Sequence, residues 1–131
     1  MAVSLLKGGE AMKVEIKSIA DKGNYEKERL VLRVMTDTDI GDYLVIQSGF
    51  YNGEVSIGTY QTFWFSYKSV STGDLVVLYT KPGKENQKEL KCGKVAHFFY
   101  WGLDSAIWNI KNRSPVVLYA PEWINKSPGE L

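Results

Sequence analysis

A chain of 131 residues, 44% hydrophobic and carrying a net charge of +1, has the size and composition of one domain that buries a sizeable core, and lacks the low hydrophobicity and charge excess of a disordered chain. Its near-balance of 16 basic and 15 acidic residues argues against a uniformly basic nucleic-acid binder. The single cysteine, Cys92, cannot close an intramolecular disulfide, which argues against a stapled secreted scaffold and points to a reducing compartment, the cytoplasm.

Residues 1–11 hold only Val3 to Leu6 as an apolar run, with no basic segment before it, so they lack the architecture of a secretory signal. They are expected to form a flexible N-terminal segment. Lys7-Gly8-Gly9 ahead of Met12 is what a purine-rich ribosome-binding sequence would encode, which makes Met12 the expected biological start. No apolar run approaches the roughly 20 residues that cross a bilayer, so no membrane insertion is expected.

From Met12 onward, β-branched and aromatic residues come in short runs separated by Gly, Asp, Asn and Pro, and no long stretch keeps a helical period. The chain reads as all-β. Lys13 to Ile19 alternates apolar Val14 and Ile16 with polar Lys13, Glu15 and Lys17, the pattern of a half-buried strand. Arg29 to Met35 and Tyr43 to Gln47 follow, separated by the acidic turn Asp37 to Asp42. Asn52-Gly53 between apolar flanks predicts a tight hairpin, because both central positions of a type I′ turn need positive φ.

Tyr60 to Tyr67 reads as an aromatic strand, with Tyr60, Thr62, Trp64 and Ser66 on one face and Gln61, Phe63, Phe65 and Tyr67 on the other. Such a strand is either covered on both faces or lines a surface site. Leu75 to Tyr79 comes next, then a polar loop from Pro82 to about Gly93, then strands at Val95 to Trp101 and Val116 to Tyr119. Closely spaced strands of this kind argue for a sandwich or barrel rather than βαβ units. One domain is expected over residues 12–124, followed by a flexible tail over residues 125–131.

Four features carry a family resemblance. An apolar strand, an Asp-rich turn and a second strand run from Arg29 to Gln47. Gly73 introduces the Leu-Val-Val-Leu-Tyr strand. Tyr100-Trp101-Gly102-Leu103 is followed by Trp108-Asn109, and a short polar turn then leads to the Leu-Tyr strand at Val116 to Tyr119. In this order the chain, from Met12 to Trp123, resembles the lamin-tail domain, an immunoglobulin-like β-sandwich found in nuclear lamins and in many bacterial proteins. The resemblance implies an all-β, immunoglobulin-like β-sandwich of lamin-tail type. It also implies that Trp101 and Trp108 fill the core.

Candidate chemistry is sparse. His97, with Asp104 and Ser105 nearby in sequence, invites a hydrolase reading, yet no Gly-x-Ser-x-Gly elbow is present; a strand-edge histidine bonded to backbone or solvent is the plainer expectation. Cys92 and His97 fall short of the four N or S ligands of a structural zinc site, so no metal or other cofactor is expected. Asp37, Asp39 and Asp42 echo a calcium loop, but Gly41 and Ser48 stand where ligands belong, leaving a polar turn.

The segment from Lys81 to Lys94 sets five lysines, Lys81, Lys84, Lys88, Lys91 and Lys94, against Glu85 and Glu89, an excess of three positive charges. This loop is the anion-binding alternative, with Lys111 and Arg113 needed nearby to make a patch and Tyr60, Trp64, Tyr67, Phe98 and Tyr100 as stacking candidates. The surplus of aromatics on Tyr60 to Tyr67 points instead to an interface. The leading expectation is a non-enzymatic interaction or assembly module that binds a protein partner or itself through Tyr60, Trp64 and Tyr67. A nucleic-acid-binding β protein is the second reading, and a small hydrolase using His97 the third.

Overall fold

The computed structural model describes residues 11–131. The expected N-terminal segment, but for Ala11, and the ribosome-binding reading of Lys7 to Gly9 lie outside the described residues. Ten strands follow in chain order: β1 Val14–Ala20, β2 Arg29–Val34, β3 Thr38–Asp39, β4 Tyr43–Tyr51, β5 Glu54–Trp64, β6 Ser69–Val70, β7 Leu75–Tyr79, β8 Asn86–Glu89, β9 Val95–Tyr100 and β10 Arg113–Tyr119. They form a five-stranded sheet in the order β1-β2-β7-β9-β8, a three-stranded sheet in the order β10-β4-β5, and the small pair β3-β6. Every pairing is antiparallel except β7 with β9, which is parallel. The fold is all-β.

One core lies between the two larger sheets. Alternation sends Leu30, Leu32 and Val34 of β2, Val76 and Leu78 of β7 and Phe99 of β9 to the same side, where they meet Tyr43 and Val45 of β4 and the adjoining Phe65. Burial of each such side chain contributes about 1.5–3 kcal/mol. Phe65 meets Phe99 edge-on at 5.0 Å and Phe63 at 5.1 Å, joining the sheets through aromatic contacts. Trp108 is buried, and Trp101 packs half-buried against the same core 6.1 Å from it.

The Asn52-Gly53 hairpin forms as expected, with φ of 51° and 78° at the two positions, and it joins β4 to β5. The pairing then runs on to Trp64, so β5 begins six residues before Tyr60. It also ends before Tyr67. Past Phe65 the chain leaves the sheet, because Lys68 O accepts from Ile40 N and Lys68 N donates to Asp39, drawing Ser69–Val70 into the β3-β6 pair. Tyr67 therefore does not share the inner face of Phe63 and Phe65; it is exposed.

The second difference is in the polar loop. Residues Asn86–Glu89 form β8, exposed throughout and held by its ladder to β9 and by bonds from the Asn86 side chain to Lys84 O and the Tyr100 hydroxyl. With no apolar alternation, nothing in those four residues announces a strand.

The irregular segment from Gly102 to Asn112 is fastened by a buried carboxylate. Glu28 is fully buried and accepts from Gly23 N at 2.9 Å, Ile107 N at 3.0 Å, Trp108 N at 3.2 Å and Thr80 Oγ1 at 2.6 Å. Tyr25 donates its hydroxyl to Leu103 O, and Gln47 donates Nε2–H to Ile107 O. Four backbone groups of a loop without a ladder of its own are thus satisfied by three side chains, Tyr25, Glu28 and Gln47.

Candidate interaction surface

On β4 the residues Tyr43, Val45 and Gln47 are buried inward, so Leu44 and Ile46 face away from the core. Register sets Leu44 between Leu118 of β10 and Trp64 of β5, and Ile46 between Val116 and Thr62. Two cross-strand rows result, Leu118-Leu44-Trp64 and Val116-Ile46-Thr62, and neither contains a charge. Trp64 is 44% exposed and Leu118 41%, in a place where an antiparallel sheet ordinarily turns polar residues to water. Trp123, 54% exposed, meets Trp64 edge-on at 5.2 Å and extends the patch.

Tyr60 lies further along β5 and is half exposed. The guanidinium of Arg113 stacks on its ring at 3.6 Å, a cation-π contact that holds the ring in place. Trp64 donates its indole N–H to Gly41 O at 2.8 Å. Gly41 is buried and admits no side chain, since a Cβ there would lie 2.6 Å from Tyr67 Cα. The chain around Gly41 therefore brings Trp64 and Tyr67 to one corner, while Tyr60 sits on the strand beyond.

Of the expected partner-binding residues, Tyr60 and Trp64 are outward and exposed on β5, and Tyr67 is exposed beyond its end. Sequence reasoning missed Leu44, Ile46, Val116, Leu118 and Trp123. The signal was there: Leu-Val-Ile on β4 and Val-Val-Leu on β10 are apolar at both alternations, so one face of each strand had to be covered or exposed.

His97 is neither at a strand edge nor bonded to backbone or solvent. It is buried on β9, which lies inside its sheet between β7 and β8, and its Nε2 is 2.9 Å from Asp74 Oδ2. Asp74 also accepts from Ser71 N and Val95 N. Burial pushes the Asp74 carboxyl up, but the hydrogen bonds from His97, Ser71 and Val95 outweigh it and leave it below the ordinary aspartate value. His97 Nδ1 is buried and has no hydrogen-bond partner among the described residues. Asp104 and Ser105 are exposed.

The five lysines occupy different surroundings. Lys88 lies on β8 opposite Ala96, Lys81 sits 3.7 Å from Glu26 and 5.4 Å from the Tyr79 ring, and Lys94 packs its stem on Gly73. Lys84, Lys88 and Lys91 are exposed. Arg113 belongs to the other sheet and does not join them.

Two carboxylates of the acidic turn are occupied by hydrogen bonds from the protein itself. Asp37 accepts from Thr72 N and Oγ1, which hold its carboxyl below the usual value, and Asp39 accepts from Gly41 N and Lys68 N. Cys92 is exposed. Among the described residues no three metal-ligating side chains cluster, and no helix is long and apolar enough to cross a membrane. Comparison with models of protein families and with curated proteins gives no match.

Proposed function

We propose that the chain is a β-sandwich of lamin-tail type, an immunoglobulin-like fold, acting as a non-enzymatic interaction or assembly module through the outer face of its three-stranded sheet. The fold reading is supported by element order. The Asp-rich turn lies between β2 and β4, Gly73 leads into β7, the Tyr-Trp-Gly-Leu segment follows β9, and β10 supplies the Leu-Tyr strand.

The functional reading rests on one observation: two adjacent cross-strand rows on an outer sheet face are uncharged, largely apolar and partly open to solvent. Contiguous apolar surface rimmed by polar groups marks association sites on folded domains. Aromatic side chains are enriched at the centre of such sites, and Tyr60, Trp64 and Trp123 surround this one.

Leu118→Asp tests the reading with little cost to the fold, because Leu118 is half exposed at the sheet margin. Binding of another protein to this face is expected to fall at least about tenfold, while the melting temperature stays within about 4 °C of wild type. Unchanged binding would contradict the proposal. Trp64→Ala is the less clean probe, since it also removes the bond to Gly41 O and the contact with Trp123.

A nucleic-acid reading has one observation in its favour. The outer face of the five-stranded sheet aligns Lys88, Phe98, Tyr79 and Tyr100, the last two stacked at 5.2 Å. Against it, the nearby Arg29, Arg33 and Lys81 are paired with Asp21, Glu15 and Glu26, which offsets the pull of those three cations on phosphates. The burial of His97 against Asp74 supports a packing role for that histidine rather than a catalytic one.

A further inference from the structure

The two larger sheets have four edge strands, and three of them are defended. β1 carries Glu15 and Lys17, β8 carries Lys88 and Glu89, and β10 carries Arg113 and Pro115. Charges and proline are the usual means of keeping an edge from pairing with another chain. β5 is eleven residues long, contains no Lys, Arg or Pro, and has Glu54 at its start as its sole charge. Its register slips fall toward the hairpin, between Gln47 and Phe50 of the partner strand, so Gln61 to Trp64 remain in unbroken pairing.

The direction of the unpaired backbone groups follows from the ladder. Phe65 N donates to Tyr43 O, and alternation along an antiparallel pair then turns the N–H and C=O of Phe63 toward β4 and those of Thr62 and Trp64 toward the open edge. The side chains of Thr62 and Trp64 belong to the uncharged outer rows described above.

We infer that the occupant of this edge is a second copy of the chain, paired β5 to β5 antiparallel about a two-fold axis near Thr62 to Trp64. This rests on the reading of the outer sheet face as a contact surface and names its partner. A two-fold pairing is self-complementary: each copy offers the same donors, acceptors and uncharged rows that the other requires. It joins the two three-stranded sheets into one of six strands, and it brings the exposed aromatic faces of both copies together on one side. A charged partner strand would gain nothing from rows that hold no charge.

The test uses the full chain with Cys92→Ser, so that an introduced cysteine is the sole thiol. Sedimentation of this protein is expected to show a doubling of mass as concentration rises toward about 1 mM. Thr62→Pro removes an N–H that β4 does not use and is compatible with an edge strand; it is expected to weaken dimerisation at least about tenfold. Thr62→Lys, which sets like charges near the axis, is the second variant if proline disturbs the fold. With a short bis-maleimide, Thr62→Cys is expected to give a covalent dimer and Lys88→Cys on the β8 edge none.

A chain that stays monomeric to about 1 mM, a dimer unchanged by Thr62→Pro and Thr62→Lys, or equal cross-linking at both positions would overturn the inference. If the chain is monomeric while Leu118→Asp still abolishes capture of another protein, the second copy is excluded and the sheet face stands as a contact surface.

Discussion

Glu28→Ala is expected to cost about 3 kcal/mol or more of folding stability, a large part of the roughly 5–15 kcal/mol that holds a domain of this kind together. The side chain is fully buried, and its two oxygens receive three backbone N–H groups and one hydroxyl. Alanine leaves all four donors without their acceptor. Each buried, unsatisfied polar group costs about 1–3 kcal/mol, and three of the four lie on segments that β-ladders do not hold.

The damage has a direction. Ile107 and Trp108 sit in the core, so releasing their backbone loosens the whole segment from Gly102 to Asn112. Glu28→Gln keeps the shape but presents an amide donor to groups that are themselves donors, and it is expected to fall between wild type and alanine. Urea denaturation of the three proteins measures the order. A Glu28→Ala protein within about 1 kcal/mol of wild type would show that the carboxylate does not hold the loop.

Replacing Asp74 gives the second large effect, and one that depends on pH. Its carboxylate accepts from His97 Nε2, Ser71 N and Val95 N while 4% exposed. Asp74→Ala strands His97 with neither ring nitrogen bonded, and a loss of about 2–4 kcal/mol near neutral pH is expected. Because the folded state holds this carboxyl below its ordinary value, the ionised form is favoured by folding. The stabilisation is therefore fully present above the unfolded aspartate pKa of about 3.9. It is lost as pH falls below that value and through the depressed folded one.

The difference in stability between wild type and Asp74→Asn isolates this group from the other carboxylates. It is expected to be large at neutral pH and to shrink below about pH 4. A difference that stays constant across the acid range would mean that Asp74 acts by shape rather than charge.

How much of this was legible in the sequence depends on whether the signal was local. β2, β7 and β9 are apolar runs bounded by turn residues, and the β4-β5 hairpin is announced by Asn52-Gly53, whose backbone demands almost no other residue pair satisfies. β8 is illegible because Asn-Gln-Lys-Glu owes its form to pairing with β9. The limits of β5 were misplaced at both ends. Pairing carried it back from Tyr60 to the hairpin, and bonds from Lys68 to Ile40 and Asp39 pulled Tyr67 out of line.

Glu28 and Asp74 were invisible for a different reason. A Glu in a charged stretch and an Asp after Gly73 look like solvent-facing turn residues, and only the donors converging from residues up to 80 positions away reveal otherwise. At the surface, the aromatic strand was conspicuous, but its companions were hidden in plain composition. Leu44, Ile46, Val116 and Leu118 were not singled out, because periodicity cannot say which face of a doubly apolar strand is covered.

The most direct test of the account is site-specific photo-cross-linking in native cells, with the probe at Leu118 on the three-stranded sheet or at Phe98 on the outer face of the five-stranded sheet. A contact surface on the three-stranded sheet predicts adducts, to a second copy or to another protein, from position 118 and not from position 98. Adducts from position 98 alone would contradict it.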